Sequence, residues 1–465
     1  MIDTPEPLVD RLDAEASCTL LSTFPPEFRF GTATAAYQIE GAVKEGGRGE
    51  SIWDRYAHTP GLIFHGDTGD IACDHYHRWE ADFDLMAELG IKHYRFSLSW
   101  ARLQPSGRGP LNPVAVEFYR AQLQGLLDRG IAPLVTLYHW DLPQVLEDEG
   151  GWPNRNTAYL FEQYARLAAE AFADLAHEWV TINEPWCISI LGYGKGEHAP
   201  GRHCMADAAA AAHHVCLAHG LAVAAMRQVA PHIRLGVTNV ITDVVPASND
   251  PADIAAAGRL DASSNKLFLD PFYTGAYGDD VLAVYPELSQ HIQPGDLDII
   301  ACDTDFVGIN HYHRMIASND PSNPKGWIER HAEPATTSFG WSVLPESLEA
   351  ILGRVSREYT TLPIFITESG ASYHDYVDPD GMVVDTERVA YLRGYFDAAA
   401  RALASGVNLQ GYYVWSTFDN EEWAMGYEKR FGLIYVDYRT QTRIPKLSAH
   451  WFSREIAAHA DLSTK

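Results

Sequence analysis

Two glutamates stand where chemistry could be done. Glu184 closes the run Val180-Thr181-Ile182-Asn183, and Glu368 closes Ile364-Phe365-Ile366-Thr367. Both runs are short, β-branched or apolar, and of strand length. A pair of carboxyl groups flanking a glycosidic bond is the minimum equipment for glycoside hydrolysis. One must stay protonated to serve the leaving oxygen, and the other must be ionised to attack carbon. Their neighbours divide the roles. Glu184 precedes Pro185-Trp186, an apolar setting that raises a carboxyl pKa, and follows Asn183, an amide suited to a sugar hydroxyl. Glu368 has Arg95 and Tyr312 as candidate stabilisers, since a nearby guanidinium keeps a carboxylate ionised. One glutamate at a strand end more often starts a solvated loop. Two of them, each beside aromatics, point to a site.

Such a pair needs a frame that brings distant segments together. Eight runs read as strands: 28–34, 93–100, 132–140, 178–185, 234–240, 305–312, 363–370 and 409–417. Helical stretches lie between them at 79–89, 114–129, 157–176, 206–230, 345–359 and 386–404. The alternation predicts an α/β fold with a parallel sheet, and eight repeats predict one closed (β/α)8 TIM barrel over residues 24–456. Residues 1–23 and 457–465 are read as tails. An open doubly wound sheet competes, but Gly31 lacks the glycine spacing of a phosphate turn. A barrel places its chemistry at the C-terminal strand ends. Those ends read Tyr138-His139-Trp140, Asn183-Glu184-Pro185-Trp186, Asn310-His311-Tyr312, Glu368-Ser369-Gly370 and Trp415-Ser416-Thr417, with Asp419-Asn420-Glu421-Glu422-Trp423 just beyond. Aromatic rings for a pyranose face and amides and carboxylates for its hydroxyls make a sugar pocket. On the second strand Arg95, Ser97 and Ser99 share one face, and the polar face should point into the barrel.

Composition sets the outer limits. The 465 residues carry 35 basic and 62 acidic side chains, a net charge of −27. With no run of five basic residues, that charge argues against nucleic acid and anionic membrane surfaces as partners. The acidic, arginine-leaning composition reads as an ordinary solvated surface, with salt tolerance as the other reading. A small-molecule β-glycoside is the expected partner, and a second copy of the chain is the one macromolecular contact left open. The segment 208–226 comes nearest to a membrane span, but His213, His214 and His219 interrupt it. The start, Met1 to Pro7, has neither a basic nor an apolar stretch of signal type. Six scattered cysteines read as free thiols of a reducing, cytoplasmic compartment. The pairs His75/His77 and His311/His313 would each share a face on a strand, but zinc needs three or four ligands and parity turns His311 and His313 away from Asn310 and Tyr312, so they read as core or surface histidines. Cys187 reads as a buried neighbour of Glu184, and Glu147-Asp148-Glu149 as a solvated loop. Trp327, on a Pro- and Asn-rich loop over 315–339, either meets the aglycone or packs on the surface.

At these residues the chain resembles glycoside hydrolase family 1, the β-glucosidase family. The likeness runs from about residue 24 to 456. It is carried in order by Phe30-Gly31-Thr32-Ala33-Thr34 with Tyr37-Gln38-Ile39-Glu40-Gly41, Arg95-Phe96-Ser97-Leu98-Ser99-Trp100, His139-Trp140-Asp141-Leu142-Pro143, Asn183-Glu184-Pro185, Asn310-x-Tyr312 and Arg430-Phe431-Gly432-Leu433. The resemblance implies a retaining β-glycosidase without cofactor or metal, acting on terminal non-reducing β-D-glucosyl residues of β-glucosides and short oligosaccharides. It makes Glu184 the acid/base and Glu368 the nucleophile, flanked by Arg95, Asn310 and Tyr312. Gln38, His139, Trp140, Asn183, Trp415, Glu422, Trp423 and Phe431 then bind substrate, and Trp341 shapes the leaving-group side. A 6-phospho-β-glycosidase and a non-catalytic carbohydrate-binding barrel are the alternatives. Glu422 would repel a 6-phosphate, and Lys429 lacks the serine that accompanies the phosphate-binding lysine. Three positions depart from the family pattern. Ser369 replaces Asn, Ser347 replaces Gly, and Glu421 replaces Phe, which is expected to add a charge at the sugar rim.

Overall fold

The computed structural model describes residues 20–461 except 335. The outer parts of both expected tails, and Cys18, lie outside the described residues. Eight parallel strands close into a ring in chain order: β1 (Arg29–Ala33), β2 (His93–Ser97), β3 (Ala132–Tyr138), β4 (Glu178–Asn183), β5 (Arg234–Val240), β6 (Phe306–Asn310), β7 (Ile364–Ser369) and β8 (Leu409–Trp415). This is the (β/α)8 barrel that the alternation predicts. Most strands stop one to three residues short of their predicted ends, because the polar end residues leave the ladder and turn into the mouth. Register shifts fall at the two glutamate-bearing ends, between Val180 and Asn183 on β4 and between Ile366 and Glu368 on β7. Such irregularities re-aim a side chain at a strand terminus.

Helices His75–Glu88, Pro113–Asp128, Asn156–Phe172, Met205–Val229, Pro345–Glu358, Thr386–Ala404 and Leu447–Ala460 cover the outside. Met205–Val229 is long and apolar enough to span a membrane, yet 89% of its apolar window is buried in the fold. Its alanines let it lie flat on its neighbours, and its histidines find partners inside. His213 bonds Asp296 (2.8 Å) and Tyr277 (3.1 Å), His214 bonds the Trp152 carbonyl (3.0 Å), and His219 bonds Thr181 (2.7 Å). The packed ends lie just outside 24–456. Leu21, in the short helix Leu20–Thr23, is buried and donates its N–H to Glu455 at 3.1 Å.

Three local readings change. The segment 315–339 is not an irregular loop: Arg314–Asn319 and Trp327–His331 form a hairpin that joins Asp243–Pro246 in a three-stranded sheet. Trp327, 3% exposed, anchors a small second core with Ala256, Ala257, Leu260 and Ala317, so it neither meets the aglycone nor lies on the surface. An indole is the largest apolar area that hairpin has to hide, and the alanine face of Pro251–Asp261 supplies the partner. Glu147 is not solvated either. It is buried on helix Gln144–Asp148, where it accepts from the Tyr193 hydroxyl at 2.6 Å and pairs with Arg202. Finally, His75 and His77 begin a helix rather than lie on a strand: His75 is buried on Asp82 and His77 is exposed beside Asp74 and Glu45. Among the described residues no group of three or more His, Cys, Asp or Glu side chains could hold a metal ion.

Candidate active site

Glu184 and Glu368 meet at the barrel mouth through a short polar chain. Arg95, 1% exposed inside the barrel, donates to Glu368 Oε1 at 2.5 Å and to Asn183 Oδ1 at 2.6 Å. Asn310 donates to the same Asn183 oxygen at 3.1 Å and to Glu184 Oε1 at 2.5 Å. Two amides and one guanidinium therefore link the carboxyls. Asn310 stands beside Glu368 as expected, where its amide favours the ionised carboxyl, and the same amide nitrogen also donates to Glu184, while its oxygen accepts from Thr367 at 2.8 Å. Tyr312 does meet Glu368, donating to Oε2 at 2.6 Å. The thiol of Cys187 donates to Glu184 Oε2 at 2.9 Å, a contact that position three after the glutamate, on one helical turn, makes possible.

Electrostatics separates the two groups. Burial and the neighbouring Glu368 charge push Glu184 up to about 7, with Cys187, Asn310 and Arg95 pulling the other way. Burial also raises Glu368, but there Arg95, Tyr312 and Asn310 all oppose it. Two carboxyls this close cannot both ionise cheaply, so the proton belongs on the one without the cation. Near neutral pH the arrangement offers one carboxylic acid and one carboxylate, which is what protonating one side of a bond and attacking the other requires.

The side chains around them carry polar atoms with no partner in the fold. Gln38 is fully buried and donates to Asn420 Oδ1 (3.0 Å) and to the Glu421 carbonyl (2.7 Å), which leaves its Oε1 free. His139 accepts from Asn183 Nδ2 at 3.1 Å through Nε2, so its unpartnered Nδ1 carries the proton. Burial holds that imidazole neutral. Glu422 Oε2 is likewise buried without a partner; loss of solvent and the charges of Glu368 and Glu184 push this carboxyl up to about 8. Buried donors and acceptors left open together are costly unless a ligand closes them. Rings frame them: His139 stacks between Trp415 and Trp423, each 5.9 Å away. Trp140 stands behind, its ring 4.5 Å from Trp423 and its N–H on the Asn183 carbonyl at 2.8 Å. On the outer side Trp341 is half-buried between Phe339 and His313, with Tyr312 and Phe431 beside it. Strand parity alone turned His313 away from the mouth; the strand has ended by then, and the ring stacks on Trp341.

Backbone strain gathers here. Glu184, Trp140 and Trp423 have φ of 48°, 80° and 52°, a region unfavourable for residues with side chains. Gly370 lets β7 and β8 close up behind Glu368, since a Cβ there would lie 1.7 Å from the Trp415 carbonyl oxygen. The family departures at 369 and 347 are accommodated away from the pocket: Ser369 meets the Tyr391 hydroxyl at 3.1 Å, and Ser347 bonds His311 at 2.7 Å. Cys187 is the buried neighbour of Glu184 that the sequence suggested, whereas Asn420 and Tyr37 were missed as site residues. Asn420 was legible only as part of a polar run, and nothing in the sequence ties Tyr37 to the Trp423 ring it stacks on.

Comparison with known proteins agrees with this geometry. The sequence model described as Glycosyl hydrolase family 1 matches residues 20–461. Beta-glucosidase A of Thermotoga maritima is 42% identical, over 93% of this chain and 97% of that protein. The bifunctional beta-D-glucosidase/beta-D-fucosidase of Bifidobacterium breve is 42% identical, over 94% and 99%. A solved family 1 β-glucosidase from Thermotoga maritima in complex with isofagomine lactam superposes with a TM-score of 0.91 at 41% identity, covering 94% of this chain and 99% of that one.

Proposed function

The chain belongs to glycosyl hydrolase family 1, and on that premise we propose that it is a retaining β-glucosidase releasing terminal β-D-glucosyl residues from β-glucosides and short oligosaccharides. The observation that carries the reading is the division of charge between Glu184 and Glu368. Glu368, held ionised by Arg95 and Tyr312, attacks the anomeric carbon while Glu184 protonates the departing oxygen. The sugar is then bound covalently to Glu368. Glu184, now a carboxylate, takes a proton from water, which displaces the sugar with a second inversion and so net retention. Gln38, His139 and Glu422 accept or donate at the sugar hydroxyls through their open polar atoms, and Trp415 and Trp423 provide the ring face. Trp341 borders the leaving group. A 6-phosphate fits poorly beside the open Glu422 oxygen, and Lys429 is occupied by the Ser338 carbonyl at 2.9 Å. The free buried thiols Cys73, Cys187 and Cys216 suit a reducing cytoplasm.

Hydrolysis of nitrophenyl β-D-glucoside, followed by NMR, tests the reading. The first product is expected to be the β-anomer, and Glu368→Gln is expected to abolish turnover. An α-anomer as first product, or normal turnover in that variant, overturns it.

A further inference from the structure

Glu421 stands where the family pattern has Phe, and the structure does not put it on the sugar rim. It is 0% exposed, behind the pocket wall. Its Oε2 accepts the Trp423 N–H at 3.1 Å, and its Oε1 is buried without a partner. Trp423 has the left-handed φ of 52°, so the carboxyl holds one end of a strained turn. The Glu421 backbone is tied to Gln38 in both directions, at 2.7 and 3.3 Å. Glu421 thus sits at the junction of Gln38, Glu422 and Trp423, three of the residues that offer open polar atoms or a ring to the sugar.

A carboxyl at that junction has two charge states, and they are not equivalent. Neutral, it still accepts the Trp423 N–H and adds no charge. Ionised, it sets a negative charge beside Glu422, whose own carboxyl is already pushed up to about 8. Facing it are Tyr37 from Ala36–Ile39, and Asp67 and Tyr427 from the adjoining loops, all acidic or neutral. Arg48, which also acts on Tyr37, is paired with Asp54 at 2.7 Å.

We propose that Glu421 is a positioning residue that makes sugar binding depend on its protonation: the loop bearing Glu422 and Trp423 reads the sugar while Glu421 is neutral, and ionisation of Glu421 weakens binding. The proposal rests on the β-glucosidase reading of the same site. Burial and the Glu422 charge both hold the Glu421 carboxyl well above the usual carboxylate range, so the neutral form prevails at neutral pH. A group that charges only above a raised pKa leaves affinity full below that pKa and lowers it as pH climbs through it. Gln or Phe at 421 removes that transition and leaves the one at Glu422, whose carboxyl is pushed up to about 8.

The test measures KM and kcat for nitrophenyl β-D-glucoside, and Ki for glucose, from about pH 6 to about pH 9.5 in wild type, Glu421→Gln and Glu421→Phe. Gln keeps an acceptor for Trp423, and Phe restores the family residue, so the pair separates loss of charge from loss of fold. Wild-type KM and Ki are expected to climb with pH beyond any climb in the variants, by up to about tenfold for each unit by which sugar and proton binding are linked. The difference is expected in KM rather than kcat. Parallel KM profiles in all three proteins overturn the proposal, as does a wild-type Ki that is flat over the range. If wild type does not turn over the glucoside, it is the β-glucosidase reading that fails, and calorimetric glucose affinity over the same pH range still decides the role of Glu421.

Discussion

Replacing Tyr312 by Phe removes one oxygen and little else. The ring keeps its packing against Trp341 and Phe431, at 5.5 and 6.2 Å between centroids, and the Arg95–Glu368 pair stays in place. What disappears is the hydroxyl that donates to Glu368 Oε2 at 2.6 Å. A hydrogen bond to a charged group contributes about 1.5–3 kcal/mol, and one pKa unit corresponds to about 1.4 kcal/mol. The Glu368 carboxyl should therefore rise by about one to two units. The sign follows from its role. Burial already raises Glu368, and Tyr312 is one of the groups holding it down, so the variant moves it further in the same direction. The nucleophile must be ionised, so activity is lost on the acid side. The acid limb of kcat/KM moves up by about one to two pH units, and at a fixed pH below it the rate drops about 10- to 100-fold. The loss shrinks as pH approaches the plateau. The assay is kcat/KM for dinitrophenyl β-D-glucoside, whose leaving group needs no proton, across about pH 4 to about pH 9. An acid limb that does not move, with a loss of the same size at every pH, would mean that Tyr312 does not hold charge on Glu368, and the division of charge proposed for the site would lose one of its supports.

Glu184→Gln should lower kcat/KM for cellobiose or alkyl β-glucosides by about 10²- to 10⁴-fold while sparing kcat/KM for dinitrophenyl β-glucoside, whose kcat still falls because water loses its base; equal losses of kcat/KM on both substrates would deny Glu184 the acid role. Glu422→Gln should raise KM for β-D-glucosides by about tenfold or more, because the pocket's open carboxyl group becomes an amide. 6-Deoxy-β-D-glucosides, which lack only the 6-hydroxyl, should suffer less, and an unchanged ratio of glucoside to 6-deoxyglucoside would show that Glu422 does not read that hydroxyl. Trp327→Ala should destabilise the protein by about 3–5 kcal/mol in denaturant titration, since it empties the small core beneath the hairpin. Its kcat/KM should stay within about twofold, and a selective loss on aryl glucosides would return Trp327 to the substrate.

The barrel was legible in the sequence because its signals are local and repeated. Each strand is a short apolar run ending in polar residues, and each intervening helix carries its own period. The two carboxylates were legible for the same reason, as Glu184 and Glu368 each break such a run at its C-terminal end. What the sequence could not supply was direction. Asn310 was placed beside Glu368 by the family resemblance alone, and only the fold shows that its amide nitrogen also reaches Glu184 and so links the two carboxyls. Trp327 lay on a segment rich in turn residues, and only the apposition of Pro251–Asp261 reveals that the segment is a hairpin with a core of its own. Glu421 shows the limit most clearly. A charged residue between sugar-binding neighbours reads as part of the rim, since neighbours in a loop usually share an exposure. Beside the left-handed turn at Trp423 the fold breaks that rule, with Glu421 fully buried on the Trp423 N–H and Glu422 only half-buried. Positive φ at a residue other than glycine leaves no mark in composition or period, so strain of this kind, at Trp140, Glu184 and Trp423 alike, had to be seen in the backbone.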